Sequence, residues 1–566
     1  MKRPVVVATL CTGLVTALWP IPSSYESGNE VLWIDGHVQV DYKLNSQADN
    51  SFSNSASEQI INSAVERTFL TIFDQNFVPW KFNPRNSNYE PDESNRQYVK
   101  SITLQQNTPE PTNGTRPAST IDESYTLSMP ASGEVVITAN SSIGLSYGLT
   151  TFSQLFFQHS DGGAYTKLAP VTIKDAPKFT HRGLNMDTSR NFFSVMDILR
   201  TLDAMAFTKM NRFHWHITDA QSWPLEVPAL PELSTAGAYA PGLTYTPDEV
   251  AAIMQYGNSL GIETAIEIDM PGHTSSIWFS HPELITSFNT QPYDTNCAEP
   301  PCGSLKLNSS AVYSFLDKMF DDLFPRISKY SSYFHSGGDE VNVNAYLLDD
   351  TVKSNDTAIL QPLMQTFIDH VHGKIRNNGL TPIVWEEMLL EWNLTMGNDV
   401  LVNCWLSDES VAQTVAKGHR AIVGNYNNWY LDCGQGQWLD FSPNVSASFY
   451  PYADYCSPRK NWRLVYALDP LTGIPENSTH LVAGGEVHLW AEQIDPVNFD
   501  KQAWPRAAAA AEVLWSGAKD ASGQNRSQIE ASPRLSEFRE RLVARGVGAE
   551  PIQMPFCTQN GTQCYV

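Results

Sequence analysis

The chain has 566 residues, 42% hydrophobic and 17% charged, so it must bury a large core and is not a disordered polymer. Its 61 acidic residues exceed 37 basic ones, and the formal charge of −24 repels phosphate backbones, which argues against nucleic acid as a partner. The 15 tryptophans suit a ligand with flat, weakly polar faces.

The chain opens with Met1, Lys2 and Arg3, then an apolar run over 5–15 and the small residues 15–17. This reads as a secretory leader over 1–17, too short for a membrane span. No later run reaches about 18 unbroken apolar residues, so no membrane partner is expected. Nine Asn-x-Ser/Thr sites, at Asn113, Asn140, Asn308, Asn355, Asn393, Asn444, Asn477, Asn525 and Asn560, agree with a secreted, extracellular protein. Cys11 lies in the leader. The close pairs Cys297/Cys302, Cys433/Cys456 and Cys557/Cys564 read as loop staples, leaving Cys404 in an apolar run as a buried thiol.

Residues 18–177 are polar and irregular. Strands are expected near 31–34, 38–42, 125–127 and 135–138, and helices over 57–70 and 144–157. Residues 84–120, rich in Asn, Ser, Pro and Thr, read as a long exposed loop. The mixture predicts an α+β domain with no chemistry of its own.

From 178 to 566 the rhythm changes. Short apolar runs at 180–187, 212–217, 263–268, 333–336, 382–385, 400–405, 421–425 and 481–489 alternate with helical patterns. Thr246, Pro247 and Glu249 mark a helix start, and Gly261, Gly379 and Gly418 mark helix ends. Eight strand-and-connection units predict an α/β fold, a (β/α)8 TIM barrel. An open doubly wound sheet has the same alternation, but no glycine-rich turn follows the first strand.

The polar residues gather at the strand ends, where barrels place their chemistry. They include Asp187, Asp219, His273, Asp339, Glu340, Trp385, Trp405, Tyr430, Asp432, Trp490 and Glu492, with Arg182 on the first strand. Asp339 and Glu340 follow Ser336-Gly337-Gly338, whose glycines allow a sharp turn. Two adjacent carboxylates raise one another's pKa and favour keeping one protonated as a general acid. Adjacent residues do not fit the opposed geometry of the usual acid and nucleophile, so the second carboxylate is read as assisting a group on the substrate. Tryptophan faces and acidic side chains fit sugar C–H faces and hydroxyls. His214 and His216 share a strand face; with Asp219 they read as metal ligands or as packed histidines, and packing is preferred because no third ligand is evident. His273 is placed to bridge Asp219 and Glu340.

The segments 182–190, 214–219, 269–273, 335–341 and 505–509 together resemble glycoside hydrolase family 20, the β-N-acetylhexosaminidases, and residues 18–22 and 31–33 look most like its secreted fungal members. The resemblance implies a zincin-like α+β domain before the barrel, no metal or cofactor, a β-linked GlcNAc or GalNAc oligosaccharide substrate, and a homodimer. It implies exo-acting, substrate-assisted retaining hydrolysis through an oxazolinium intermediate. Glu340 becomes the acid/base and Asp339 the residue that orients the acetamido group. Tyr430 bonds the acetamido carbonyl, and Trp385, Trp405 and Trp490 wall its pocket. Arg182, Asp432 and Glu492 hold the sugar hydroxyls, and Asp219 and His273 relay to Glu340. Ala220 stands where members often have a second Asp. The other readings weighed are a secreted carbohydrate-binding protein without turnover and a metallohydrolase using His214, His216 and Asp219.

Overall fold

The structure, a computed structural model, describes residues 18–44, 56–110 and 121–565. The expected leader, Cys11 and the Asn113 site lie outside these residues. Among the described residues no helix is long and apolar enough to cross a membrane.

Residues 24–175 form a mixed seven-stranded sheet with two helices on one face, Ala56–Phe73 and Ser142–Ser153. Strict alternation builds it: Tyr125, Leu127 and Met129, and Val135, Ile137 and Ala139, point to the buried side of neighbouring strands. One expectation fails here. Ser101–Gln106, inside the stretch read as loop, is a parallel strand, one in from the sheet edge, between Gln39–Lys43 and Glu134–Ala139. Its alternating Ile102, Leu104 and Gln106 are buried, a signal masked by polar flanks. The long strand Ala164–Asp175 is a further element beyond the expected ones.

The barrel closes from eight parallel strands, each buried along most of its length. They are β1 (His181–Asp187), β2 (Arg212–Thr218), β3 (Glu263–Ile268), β4 (Tyr333–His335), β5 (Thr381–Trp385), β6 (Leu401–Cys404), β7 (Arg420–Val423) and β8 (Val482–Val487). All eight expected strands are present, and β8 pairs with β1 to shut the ring. Outer helices start where expected: Thr246 and Glu249 form a capping box with Pro247 in the first turn. The three expected disulfides are formed, and Cys404 is a buried free thiol.

The sheet unit is welded to the barrel by charge. Lys209 reaches Asp175 at 3.0 Å, Arg182 holds Glu123 at 2.7 Å, and the Trp515 indole donates to Asp175 at 3.0 Å, all buried. These contacts leave the C-terminal strand ends free to form the site.

Candidate active site

A cavity of about 430 Å³ opens at the C-terminal strand ends, within the range of small-ligand sites. The turn after β4 supplies its acidic pair. Gly337 and Gly338 take φ of 68° and 110°. A β-carbon on Gly337 would lie 1.8 Å from Asp269 Oδ1, and one on Gly338 2.6 Å from Met388 Cγ. Glu340 and His273 also sit at φ 52°, a left-handed conformation uncommon for such residues. Both side chains line the cavity, close to one another.

Asp339 is 9% exposed, and its Oδ1 has no hydrogen-bond partner among the described residues. Burial raises the carboxyls of both Asp339 and Asp269, which are hydrogen-bonded to each other. Asp269 Oδ1 also accepts from the Gly338 amide at 2.7 Å, which fixes the turn. Glu340 is more open, its side chain 34% exposed, with Oε2 3.5 Å from His273 Nε2. His273 Nδ1 lies 3.0 Å from Asp219 Oδ1. Burial disfavours a charge on His273, but Asp219, Asp339 and Asp269 outweigh it and hold the ring protonated. Burial likewise opposes ionisation of Asp219, and Arg190 with His273 keeps its carboxyl well below the usual range. The expected bridge from Asp219 to Glu340 is thus present as contacts.

Trp385, Trp405, Tyr430 and Trp490 form one aromatic cluster against the Cys433–Cys456 disulfide. Trp405 and Tyr430 stack with centroids 5.9 Å apart, and Trp385 and Trp490 lie 6.1 Å apart. Trp405 donates to Glu387 Oε1 at 2.9 Å, Trp385 to Glu267 Oε1 at 2.7 Å. Trp405, Tyr430, Trp490 and Glu492 line the cavity, whereas Trp385 is fully buried behind it. Asp432, two residues after Tyr430, is partly exposed; burial pushes its carboxyl up to about 7, and its Oδ1 has no partner among the described residues. Burial, then Glu299, pushes Glu492 well up.

Arg182, expected to hold the sugar hydroxyls, does not line the cavity. It lies at the N-terminal end of β1, roughly 16 Å of extended chain from Asp187. There it donates to Glu123 at 2.7 and 2.9 Å and to the carbonyls of Phe179 and Lys209 at 2.8 Å. The guanidinium in the cavity belongs to Arg190, after the same strand. It is 2.9 Å from Asp219 Oδ2, bonds Gln221 at 2.9 Å and pairs with Glu299 on the Cys297–Cys302 loop. Arg190 closes the segment 182–190, and Glu299 lies in a stretch that carries no sequence signal beyond its two cysteines. Tyr455, Trp438 and Asp269 also line the cavity, in addition to the expected residues.

The metallohydrolase arrangement is not assembled. His216 bridges Asp219 and Glu267, while His214 bridges Glu267 and Glu486, so the two rings spend both nitrogens on carboxylates. His214, Glu267 and His335 bring ligand atoms within 4.8 Å of one another. Protonation of His214, driven up to about 9 by Glu486 and Glu267 against burial, makes that cluster a poor cation site.

Residues 179–518 match the catalytic domain of glycosyl hydrolase family 20. The chain belongs to that family. Residues 18–155 match a domain described as beta-acetyl hexosaminidase like. A beta-hexosaminidase of Arthroderma benhamiae is 39% identical over 98% of both chains. A chitooligosaccharidolytic beta-N-acetylglucosaminidase of Ostrinia furnacalis is 33% identical over 79% of this chain and 75% of its own. The chitobiase of Flavobacterium johnsoniae superposes with a TM-score of 0.73 at 25% identity, covering 94% of this chain and 73% of that one. This family-20 protein is a glycoside hydrolase of the β-N-acetylhexosaminidase kind.

Proposed function

We propose that the enzyme removes terminal, non-reducing GlcNAc or GalNAc from chitooligosaccharides or glycans, by substrate-assisted retaining catalysis. The observation that carries this is the division of labour within the Asp339–Glu340 pair: one carboxylate buried beside the aromatic box with a free oxygen, its neighbour open to the cavity. In the first step the acetamido oxygen bonds to the anomeric carbon as the glycosidic bond breaks, and Glu340 gives its proton to the departing oxygen. Asp339 accepts the acetamido N–H and stabilises the positive ring that forms. Water then attacks the same carbon, Glu340 takes its proton, and the acetamide is restored. Tyr430 donates to the acetamido oxygen, with Trp405 and Trp490 against the sugar and Trp385 behind them. Arg190, Asp432 and Glu492 bind the remaining hydroxyls.

Hydrolysis of a 4-nitrophenyl β-N-acetylglucosaminide tests this. Glu340→Gln is expected to lose a factor on the order of 10² to 10⁴ in kcat, the usual worth of an acid/base. Asp339→Asn should fall heavily on acetamido substrates and gain little from azide. A fully active Glu340→Gln, or a glycosyl ester trapped on a side chain, would overturn the mechanism.

Secretion and a homodimer belong to the same reading. Three disulfides and the exposure of Asn140, Asn308, Asn355, Asn393, Asn444, Asn477 and Asn525 support an oxidising, glycosylating route. Sedimentation showing only monomer would remove the dimer.

A further inference from the structure

The contacts behind the acid/base do not end at Asp219. They continue down the barrel axis as an unbroken alternation of carboxylates and imidazoles. Asp219 Oδ2 is 2.6 Å from His216 Nε2, and His216 Nδ1 meets Glu267 Oε2. Glu267 Oε2 is 2.9 Å from His214 Nε2; His214 Nδ1 is 2.8 Å from Glu486 Oε1; and Glu486 Oε2 is 3.1 Å from His181 Nε2 at the far end of β1. Every member from Asp219 to His181 is buried. Barrel interiors are ordinarily filled with branched apolar side chains, and buried charge is costly unless fully paired. A charged axis therefore needs a reason beyond stability.

Glu267 is the branch point. It projects inward from β3, and its other oxygen accepts the Trp385 indole N–H at 2.7 Å. One carboxylate thus touches both halves of the site: the relay to Glu340, through His216, Asp219 and His273, and the aromatic wall, through Trp385. Its neighbours come from three strands. His214 and His216 belong to β2 and Trp385 to β5. His335 Nδ1 of β4 is also 3.0 Å from Glu267 Oε1, and burial disfavours a charge on that ring. Around Asp219 stand Arg190, His216 and His273; around Glu486 stand His181, His214, His488 and Asn403.

We propose that Glu267 is a positioning residue for the reaction: it fixes the charge of His216, and thereby the relay behind Glu340, while holding Trp385 in the wall. This rests on the acid/base reading of Glu340. The chain is no proton conduit, because the proton Glu340 gives the leaving group returns from water in the same turnover. Its work is to keep the relay in one charge state across the working pH. In keeping with this, Glu267 and Asp219 overcome burial and hold His216 up to about 10.

Glu267→Gln keeps the shape and removes the charge. His216, left with Asp219 alone, then titrates nearer its ordinary range around 6.5. The kcat/KM profile of the variant should gain an inflection between roughly pH 6 and 8 that the wild type lacks, with kcat down on the order of 10 to 10². Trp385→Phe, which removes only the wall branch, should change KM and kcat without that inflection. A Glu267→Gln profile scaled by one factor at every pH would mark a merely structural role and overturn the proposal. Should the variant not fold, nitrogen-15 histidine spectra of the wild type decide: His216 should keep both ring protons from pH 5 to 8, and an ordinary titration there would refute the proposal. A fully active Glu340→Gln would instead sink the acid/base reading itself, so the two failures are separable.

Discussion

A methyl group at Gly337 would collide with the Asp269 carboxylate at 1.8 Å, and no L side chain favours its φ of 68°. The turn after β4 is therefore a place where one atom decides the chemistry. Gly337→Ala must either push Asp269 out of its bond to the Gly338 amide or re-aim Asp339 and Glu340. We predict a fall in kcat/KM of about 10² or more, since misplacing reacting groups by about 1 Å costs that much. Thermal melting should show the variant folded but less stable; activity within a factor of two of wild type would contradict this role for the turn. The Ser-Gly-Gly-Asp-Glu run makes the turn legible in the sequence. The left-handed conformation of His273 is not legible there, because nothing in a lone histidine marks the backbone it must adopt.

Strands carry direction as well as period, and period alone misplaces Arg182. The run 180–187 announces β1 clearly, but its two charged ends belong to opposite faces of the barrel. Arg182 is spent on the seam with the sheet unit, bidentate to Glu123, while Arg190 beyond the other end enters the cavity. Arg182→Met should lower the melting temperature sharply, because it strands a buried Glu123, a loss of about 3–5 kcal/mol for a broken buried pair. The surviving folded enzyme should keep its KM. Arg190→Met should do the reverse, raising KM and lowering kcat with a smaller effect on melting. A large KM effect from Arg182→Met would restore it to the site. Strand positions are legible because buried parallel strands are short apolar runs. Ser101–Gln106 escapes because its neighbours in sequence are loop-like, although its neighbours in space are strands. The axial network escapes for a related reason: His214 and Glu486, 2.8 Å apart, are separated by 272 residues.

At the scale of the whole molecule, these buried groups set how stability responds to pH. Glu486 and Glu267 overcome burial to hold His214 up to about 9, and His216 is held up to about 10. Both gain stability from folding that is fully present below about 6.5, the unfolded value, and lost as pH climbs through the folded values. Burial pushes Glu386 and Asp432 up to about 7, so folding favours their neutral forms and stability has already begun to fall above about 4. His372 and His488 act the other way: burial depresses both to about 3, so they cost stability as pH drops below about 6.5. Asp219, Glu267 and Glu486, held low by the cations around them, add to that loss below about 4.5. From about 6.5 to 9 the contributions of His214 and His216 point to loss, and below about 4.5 those of the paired carboxylates do. The melting temperature measured by calorimetry at constant ionic strength should therefore be highest in mildly acid solution, fall steadily toward about pH 9, and fall again below about pH 4. Glu267→Gln should flatten the alkaline limb, because His216 no longer has a high folded pKa to lose. A melting temperature that rises between about pH 7 and 9 would contradict the charged axis on which both the stability and the proposed positioning of the acid/base depend.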